Sequence, residues 1–373
     1  MWYVTRMISS PTQTLPYQRC MVLAGGGFRF GIYLGMYAAA QDAGRAPDIL
    51  LASCGGAIAA TLIRNLPDHE QRRAWLTSPD MYRFWCELKS TQHAGIVRTL
   101  LRAARRTLSP GRAPAIPDLF GDYLFEIPAR LPFPPETATP AVDVAIIGGR
   151  LLFGEHEVGQ PRGQRKLFAE TVFCGPRAAA LLDGMDSPLS DARWGEHAVA
   201  QALLTDTGVA TGDAARISIA DMIYFRCQQH GAQHYIGGVL DLFPIELARR
   251  LATHVMIEYK EAFDQTFAIP AWRAVLGLDG NARLRYANGR PAEIRVDTSD
   301  VSRVLARQQL QKKLDWRRNR IELVMPASYD TYVQYMHDQW NYGYARGMEA
   351  CQRQAGHLPA IRNVTRFSRA LPE

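Results

Sequence analysis

A single thiol, Cys54, stands at the centre of Ala52-Ser53-Cys54-Gly55-Gly56, where the apolar run PDILLAS (47–53) gives way to the helical pattern GGAIAATLIRNL (55–66). Small residues around a reactive side chain let a strand turn sharply into a helix, because the two backbones nearly touch at the bend. The usual spacing is G-x-S-x-G; here the first position is Ala and the apex is cysteine. A thiol there can attack an acyl carbonyl and carry the acyl group as a thioester. Unpaired N–H groups and the helix dipole are expected to favour its thiolate form. Gly25, Gly26 and Gly27 follow the strand-like RCMVLA (19–24) and can turn backbone N–H groups inward. Together with the N–H of Gly55 they could form an oxyanion hole.

The glycine run is not a dinucleotide fingerprint. It reads G-x-G-x-x-F, with Phe30 at the third glycine position, and no acid ends the second strand. A G-K-[ST] phosphate loop is also absent.

These residues need elements to hold them. RCMVLA reads as a buried strand, GIYLGMYAAAQDAG (31–44) as a helix, PDILLAS as a second strand and GGAIAATLIRNL as a second helix stopped before Pro67. Strand–helix–strand–helix with short joints implies a parallel sheet covered by helices. AVDVAIIGG (141–149), KLFAETVFC (166–174) and QHYIGGVLD (233–241) have strand composition, and DAARISIADMIYF (213–225) reads as a helix leading into a turn. RIELVMP (320–326) reads as a strand, and 328–354 as a long helix whose aromatic stripe, Tyr329 to Tyr344, is core packing.

The composition is that of a soluble globular protein: 373 residues, 47% hydrophobic and 21% charged. No apolar run is long enough to span a membrane. The N-terminal sequence has no signal pattern, so a cytoplasmic protein is expected. Six cysteines without a C-x-x-C pair argue for buried free thiols rather than disulfides. The net charge of +7 is concentrated in VRTLLRAARRTLSPGR (97–112) and LARQQLQKKLDWRRNR (305–320). Both have helical periodicity, and a basic amphipathic helix in each would face an anionic membrane surface. No nucleic-acid module accompanies the charge, and no nucleic-acid partner is expected.

Over roughly residues 19–260 the chain resembles the patatin-like phospholipase family. GGGFRFGIYLGMYAAAQDAG is similar to the family's G-G-G-x-[KR]-G loop and following helix, with Gly35 and Gly44 in register. PDILLASCGGAIAA resembles the strand and elbow, AARISIADMIYF the A-S-x-A-x-P-x-x-F segment, and YIGGVLDLFP the D-G-G/A segment. The resemblance implies a three-layer α/β sandwich with a mainly parallel central sheet. Residues 1–18 would be an arm, and 19–265 the α/β domain with a helical insertion at about 68–130. Residues 266–373 would be a mainly helical C-terminal extension. It also implies a serine–aspartate dyad that cleaves lipid acyl esters, with neither metal nor cofactor.

The dyad is where this sequence departs from the pattern. Cys54 holds the serine position and Ile236 the aspartate position, and an isoleucine can neither accept a proton nor orient a nucleophile. Phe30 replaces a loop glycine, where a large ring would fill space that a substrate carbonyl needs, and Met222 replaces the proline. Three residues near the matched motifs are candidate bases: His234, two residues before Ile236 on the same strand face; Asp241, past the glycines; and Asp221, beside Met222. Two functions follow. One is a lipid acyl hydrolase or acyltransferase, phospholipase A- or lysophospholipase-like, acting on a lipid ester or acyl thioester through Cys54. The other is an inactive relative that binds lipid or a protein partner. His230 and His234 are four apart but have no third ligand, and no loop carries the spaced acids of a calcium site.

Overall fold

β1 (Tyr17–Leu23) runs through the glycine loop into α1 (Phe30–Asp42), and β2 (Ile49–Ala52) runs through Cys54 into α2 (Gly55–Asn65). All four residues of β2 are buried, as suits a central strand covered on both faces. α2 stops short of Pro67; Leu66, the residue before that proline, is extended because the proline ring disfavours helix there. The computed structural model describes residues 15–108, 113–263, 268–308 and 311–355.

The insertion follows. α3 (His69–Leu76) and α4 (Pro79–Cys86) are capped by Asp68 and Ser78, whose side chains accept N–H groups of the first turn. β3 (Lys89–Ser90), α5 (Ile96–Leu108) and β4 (Phe125–Glu126) complete it, β3 pairing with β4. Next come β5 (Asp143–Leu151), β6 (Phe168–Cys174), α6 (Pro176–Leu182), β7 (Leu204–Asp206) and α7 (Thr211–Ser218). They are followed by β8 (Gln228–His230), β9 (Gln233–Ile236), α8 (Ile245–Leu251) and β10 (Ala252–Tyr259). The C-terminal part contains α9 (Ala268–Leu276), α10 (Gly280–Gly289), β11 (Ile294–Asp297), α11 (Val301–Val304), β12 (Gln311–Asp315), β13 (Arg320–Val324) and α12 (Tyr329–Ala355).

Nine strands form one sheet in the order β11-β10-β1-β2-β5-β6-β7, with β9 on β5 and β8 on β9. The central pairings β10–β1, β1–β2 and β2–β5 are parallel, whereas β5 meets β6 and β9 antiparallel. One large apolar cluster lies on the side of α6, α8, α9 and α10, and another on the side of α1, α2, α4, α7 and α12, giving three layers. β2 pairs with β5 over Asp143–Ile146 and β9 pairs further along, at Gly149 and Arg150. β9 therefore ends where β2 turns, beside Cys54.

The segment beyond 265 is mainly helical, as expected, with β11 extending the main sheet and β12–β13 forming a hairpin. The helix expected over 305–320 is replaced by that hairpin, residues 309–310 lying outside the described chain. Its turn explains why. The Asp315 carboxylate accepts the N–H groups of Arg317 and Arg318, and Asn319 adopts φ 49°, so short polar side chains close a turn that overrides the helical periodicity. α12 packs along α1, with Gly35 against the Trp340 carbonyl and Gly343 against that of Ile32. Tyr332, Met336 and Trp340 are buried there, so the middle of the aromatic stripe is core, whereas Tyr329 at the start of the helix is exposed. All six cysteines are free, and five are buried. Among the described residues no helix is long and apolar enough to cross a membrane.

Candidate active site

The carboxyl ends of three adjacent parallel strands converge on Cys54: β1 with the glycine loop, β2 with the elbow and β10 with Lys260. A crevice at this edge is where open α/β sheets bind ligands. Cys54 has φ 49° and ψ −124°, the strained backbone of a residue thrust out at a strand-to-helix bend, at a cost of about 1–3 kcal/mol. The fold repays that strain through contacts on either side. The Cys54 N–H donates to Ser218 Oγ at 2.9 Å, whose hydroxyl donates to the Ile147 carbonyl at 2.7 Å, and Ser53 Oγ donates to the Asp241 carbonyl at 2.7 Å. A Cβ on Gly55 would lie 2.4 Å from the Gly27 oxygen and one on Gly56 2.0 Å from the Leu23 oxygen, so the small flanks are required by contact.

Asp221 supplies the carboxylate. The Cys54 Sγ–H donates to Asp221 Oδ2 at 3.3 Å. Asp221 stands on the turn after α7, where its carbonyl accepts the N–H groups of Tyr224 and Phe225 and where Ile223 is held at φ 76°. Its Oδ1 is buried, without a hydrogen-bond partner among the described residues, and lies against Gly237: a Cβ there would come within 2.8 Å of it. The acid thus reaches the bend from the α7 turn. Ile236, at the position the resemblance assigns to the aspartate, is fully buried and packs on Gly149. The carboxylate lies beside the Ile236-Gly237 backbone without belonging to it.

Burial pushes the Asp221 carboxyl up to about 7, and the hydrogen bond from Cys54 pulls the other way. Burial also raises the Cys54 thiol well above its ordinary value, and the adjacent carboxylate adds to this. The N–H groups of Gly55 and Gly27 lower it but do not win. The amides at the helix start favour the thiolate, as expected, but burial outweighs them. At neutral pH Cys54 is a thiol, only 6% exposed, hydrogen-bonded to a carboxyl group that titrates near neutrality.

Lys260 was not singled out in the sequence. Its Nζ donates to the Gly25 carbonyl at 2.8 Å and pairs with Glu258 at 3.1 Å, and Glu258 also accepts from Tyr33 at 2.9 Å and from Thr298. Because a peptide is planar, drawing the Gly25 carbonyl toward Lys260 points the Gly26 N–H the opposite way. The lysine's pKa is lowered by burial, with the Glu258 carboxylate opposing. Its place at a strand carboxyl end is the signal that could have found it.

Gly25, Gly26, Gly27, Arg29, Cys54, Asp221 and Lys260 line a cleft of about 710 Å³, which continues along α5, α9 and the β12–β13 hairpin between apolar walls such as Leu124, Val239, Leu242 and Trp272. Phe30 does not obstruct it: its ring is fully buried and stacked on Trp85. Two candidate bases lie elsewhere. His234 sits on the β8–β9 hairpin with its ring edge-on to Phe120, outside the cleft lining. Asp241 is buried in an ion pair with Arg283 at 2.7 Å, and Arg283 also binds Glu246. Asp241 therefore holds the core together. Asp241→Asn should cost about 2–3 kcal/mol, read as a lower urea midpoint; an unchanged midpoint would contradict that structural role.

A family model described as patatin-like phospholipase matches residues 21–249. Among solved structures, VipD from Legionella pneumophila is similar at 11% identity and a TM-score of 0.38, the match covering 91% of this chain and 67% of that one. The comparison with curated proteins gives no match.

Proposed function

Because the chain belongs to the patatin-like phospholipase family, we propose that it is a lipid acyl hydrolase or acyltransferase in which Cys54 and Asp221 form a relocated dyad. The observation that carries this reading is the 3.3 Å contact between Cys54 Sγ and Asp221 Oδ2 in the lining of a largely apolar cleft. The inactive alternative drew its support from Ile236 and Phe30; the acid that reaches Cys54 from another segment and the burial of the Phe30 ring favour the active reading.

Asp221 takes the thiol proton as Sγ attacks the acyl carbonyl, and the oxyanion forms against the N–H groups of Gly27 and Gly55. As the tetrahedral adduct collapses, the proton on Asp221 passes to the departing alkoxide or thiolate, leaving an acyl thioester on Cys54. Water or an acceptor alcohol then loses its proton to Asp221 and attacks the thioester. The sulfur leaves and recovers the proton, so the enzyme ends as it began. All of these proton transfers are made by this chain's own residues.

The test is a soluble chromogenic short-chain acyl ester. Wild type should release a burst of alcohol followed by slower turnover, and Cys54→Ala should show neither; turnover that survives Cys54→Ala would overturn the reading. Lys260 provides a finer check. Lys260→Met frees the Gly25 peptide and should lower kcat about tenfold or more with little change in KM, because the loss falls on the oxyanion. Lys260→Arg should recover part of it. A loss expressed wholly in KM would remove the lysine from this role.

A further inference from the structure

α5 is an amphipathic helix with its polar side turned inward. Thr99, Arg102, Ala103 and Arg106 line the cleft. Val97, Leu100, Leu101 and Ala104, spaced as one stripe on the opposite side of a helix with 3.6 residues per turn, are exposed to solvent, Leu101 by 61% and Val97 by 54%. The β12–β13 hairpin is fastened to this helix: the N–H groups of Ile96 and Val97 donate to the backbone and side-chain oxygens of Asn319 in the hairpin turn. The same turn carries Trp316, 64% exposed, beside the exposed Arg317 and Arg318, while Lys312 and Leu314 reach the cleft wall. The two basic segments of the sequence thus meet as one rim along the cleft that Cys54 lines.

We propose that this rim docks on an anionic phospholipid bilayer, with the apolar stripe of α5 and Trp316 entering the interface and the arginines beside them meeting lipid phosphates. The inference rests on the cleft being where lipid is cleaved. Charge selects the occupant. α5 carries four arginines, of which Arg98 and Arg102 pair with Asp122, and the hairpin five basic residues and two acids. Residues 1–14 contain one arginine and no acid, and residues 356–373 three arginines and one acid, so neither tail supplies the anions this surface needs. A second copy would bring a like-charged rim. An anionic bilayer meets both demands at once, since tryptophan and basic side chains around an apolar stripe are what an interfacial site requires. The mouth of the cleft would then open onto the surface that holds the substrate.

Docking is measured with full-length Cys54→Ala, which cannot turn over, by sedimentation with vesicles. The protein should sediment with phosphatidylcholine vesicles containing roughly one-third phosphatidylglycerol, bind pure phosphatidylcholine poorly, and release as NaCl rises from roughly 0.1 to 0.5 M. Leu101→Ser combined with Trp316→Ala should weaken binding about tenfold while leaving thermal stability and soluble-ester turnover in the Cys54 background unchanged. Equal binding to neutral vesicles, or binding untouched by the double substitution, would overturn the proposal. So would a dimer in vesicle-free solution that depends on Leu101 and Trp316. Vesicle binding without soluble-ester turnover would sink the catalytic reading and spare this one; turnover without vesicle binding would do the reverse.

Discussion

Asp221→Asn should lower kcat for a soluble acyl ester by about a hundred- to ten-thousand-fold, the usual worth of a positioned general base. The pH dependence distinguishes this from simple damage. The Cys54 thiol sits well above its ordinary range, so the resting enzyme has almost no thiolate to fall back on. With Asp221 titrating at about 7, the rate of wild type should climb through that pH to a plateau as the carboxylate accumulates. In Asp221→Asn this limb should vanish, leaving a small rate that rises only in strong alkali. Stability should move the opposite way. Burial raises the Asp221 pKa above its unfolded value near 3.8, so its protonated form stabilises the fold at low pH and that contribution is lost as pH rises toward 7. An asparagine carries no such loss. The variant should therefore gain stability over wild type as pH increases from about 4 to 7, by on the order of 2–4 kcal/mol at pH 8 in denaturant unfolding. Equal stability at pH 8, or a retained rate limb near 7, would contradict the assignment of Asp221 as the base.

Cys54→Ala should abolish turnover, with a loss of at least about ten-thousand-fold. Cys54→Ser is more informative. The bend, the Ser218 contact and the Gly27 and Gly55 amides do not depend on sulfur, so a hydroxyl would occupy the same strained position. Its proton is harder to remove, yet Asp221 is placed to accept it. The serine enzyme should retain a measurable rate that disappears in the Cys54→Ser, Asp221→Asn double variant. Steady-state assays of the three variants against wild type check this, and a serine rate indifferent to Asp221 would mean that the two side chains do not act together.

What the sequence made legible were the features with a backbone demand. The elbow is visible in Ser53-Cys54-Gly55-Gly56 because only small residues fit against Gly27 and Leu23, and the paired strand–helix units are visible from their apolar runs. The carboxylate that meets Cys54 was not legible, because choosing among Asp221, His234 and Asp241 depends on tertiary geometry. Asp221 meets a sulfur 167 positions away only because Gly237 lacks a Cβ and Ile223 accepts a left-handed backbone. Motif register pointed instead to position 236, which lies one residue from the carboxylate in space but packs into the sheet. The hairpin at 311–324 was hidden by helical periodicity, although Asp315 and Asn319 carried the turn signal. Lys260 was hidden for a different reason: its partner is a carbonyl in the glycine loop, and such a contact leaves no motif.

The covalent acyl–sulfur bond is the claim on which everything else turns, and mass spectrometry of rapidly acid-quenched protein reads it directly. During the burst with a soluble acyl ester, the peptide containing Cys54 should gain the mass of one acyl group, labile to neutral hydroxylamine and missing from Asp221→Asn quenched at the same time. An enzyme turning over with that peptide unmodified, or with the acyl group on another of the six cysteines, would contradict the account.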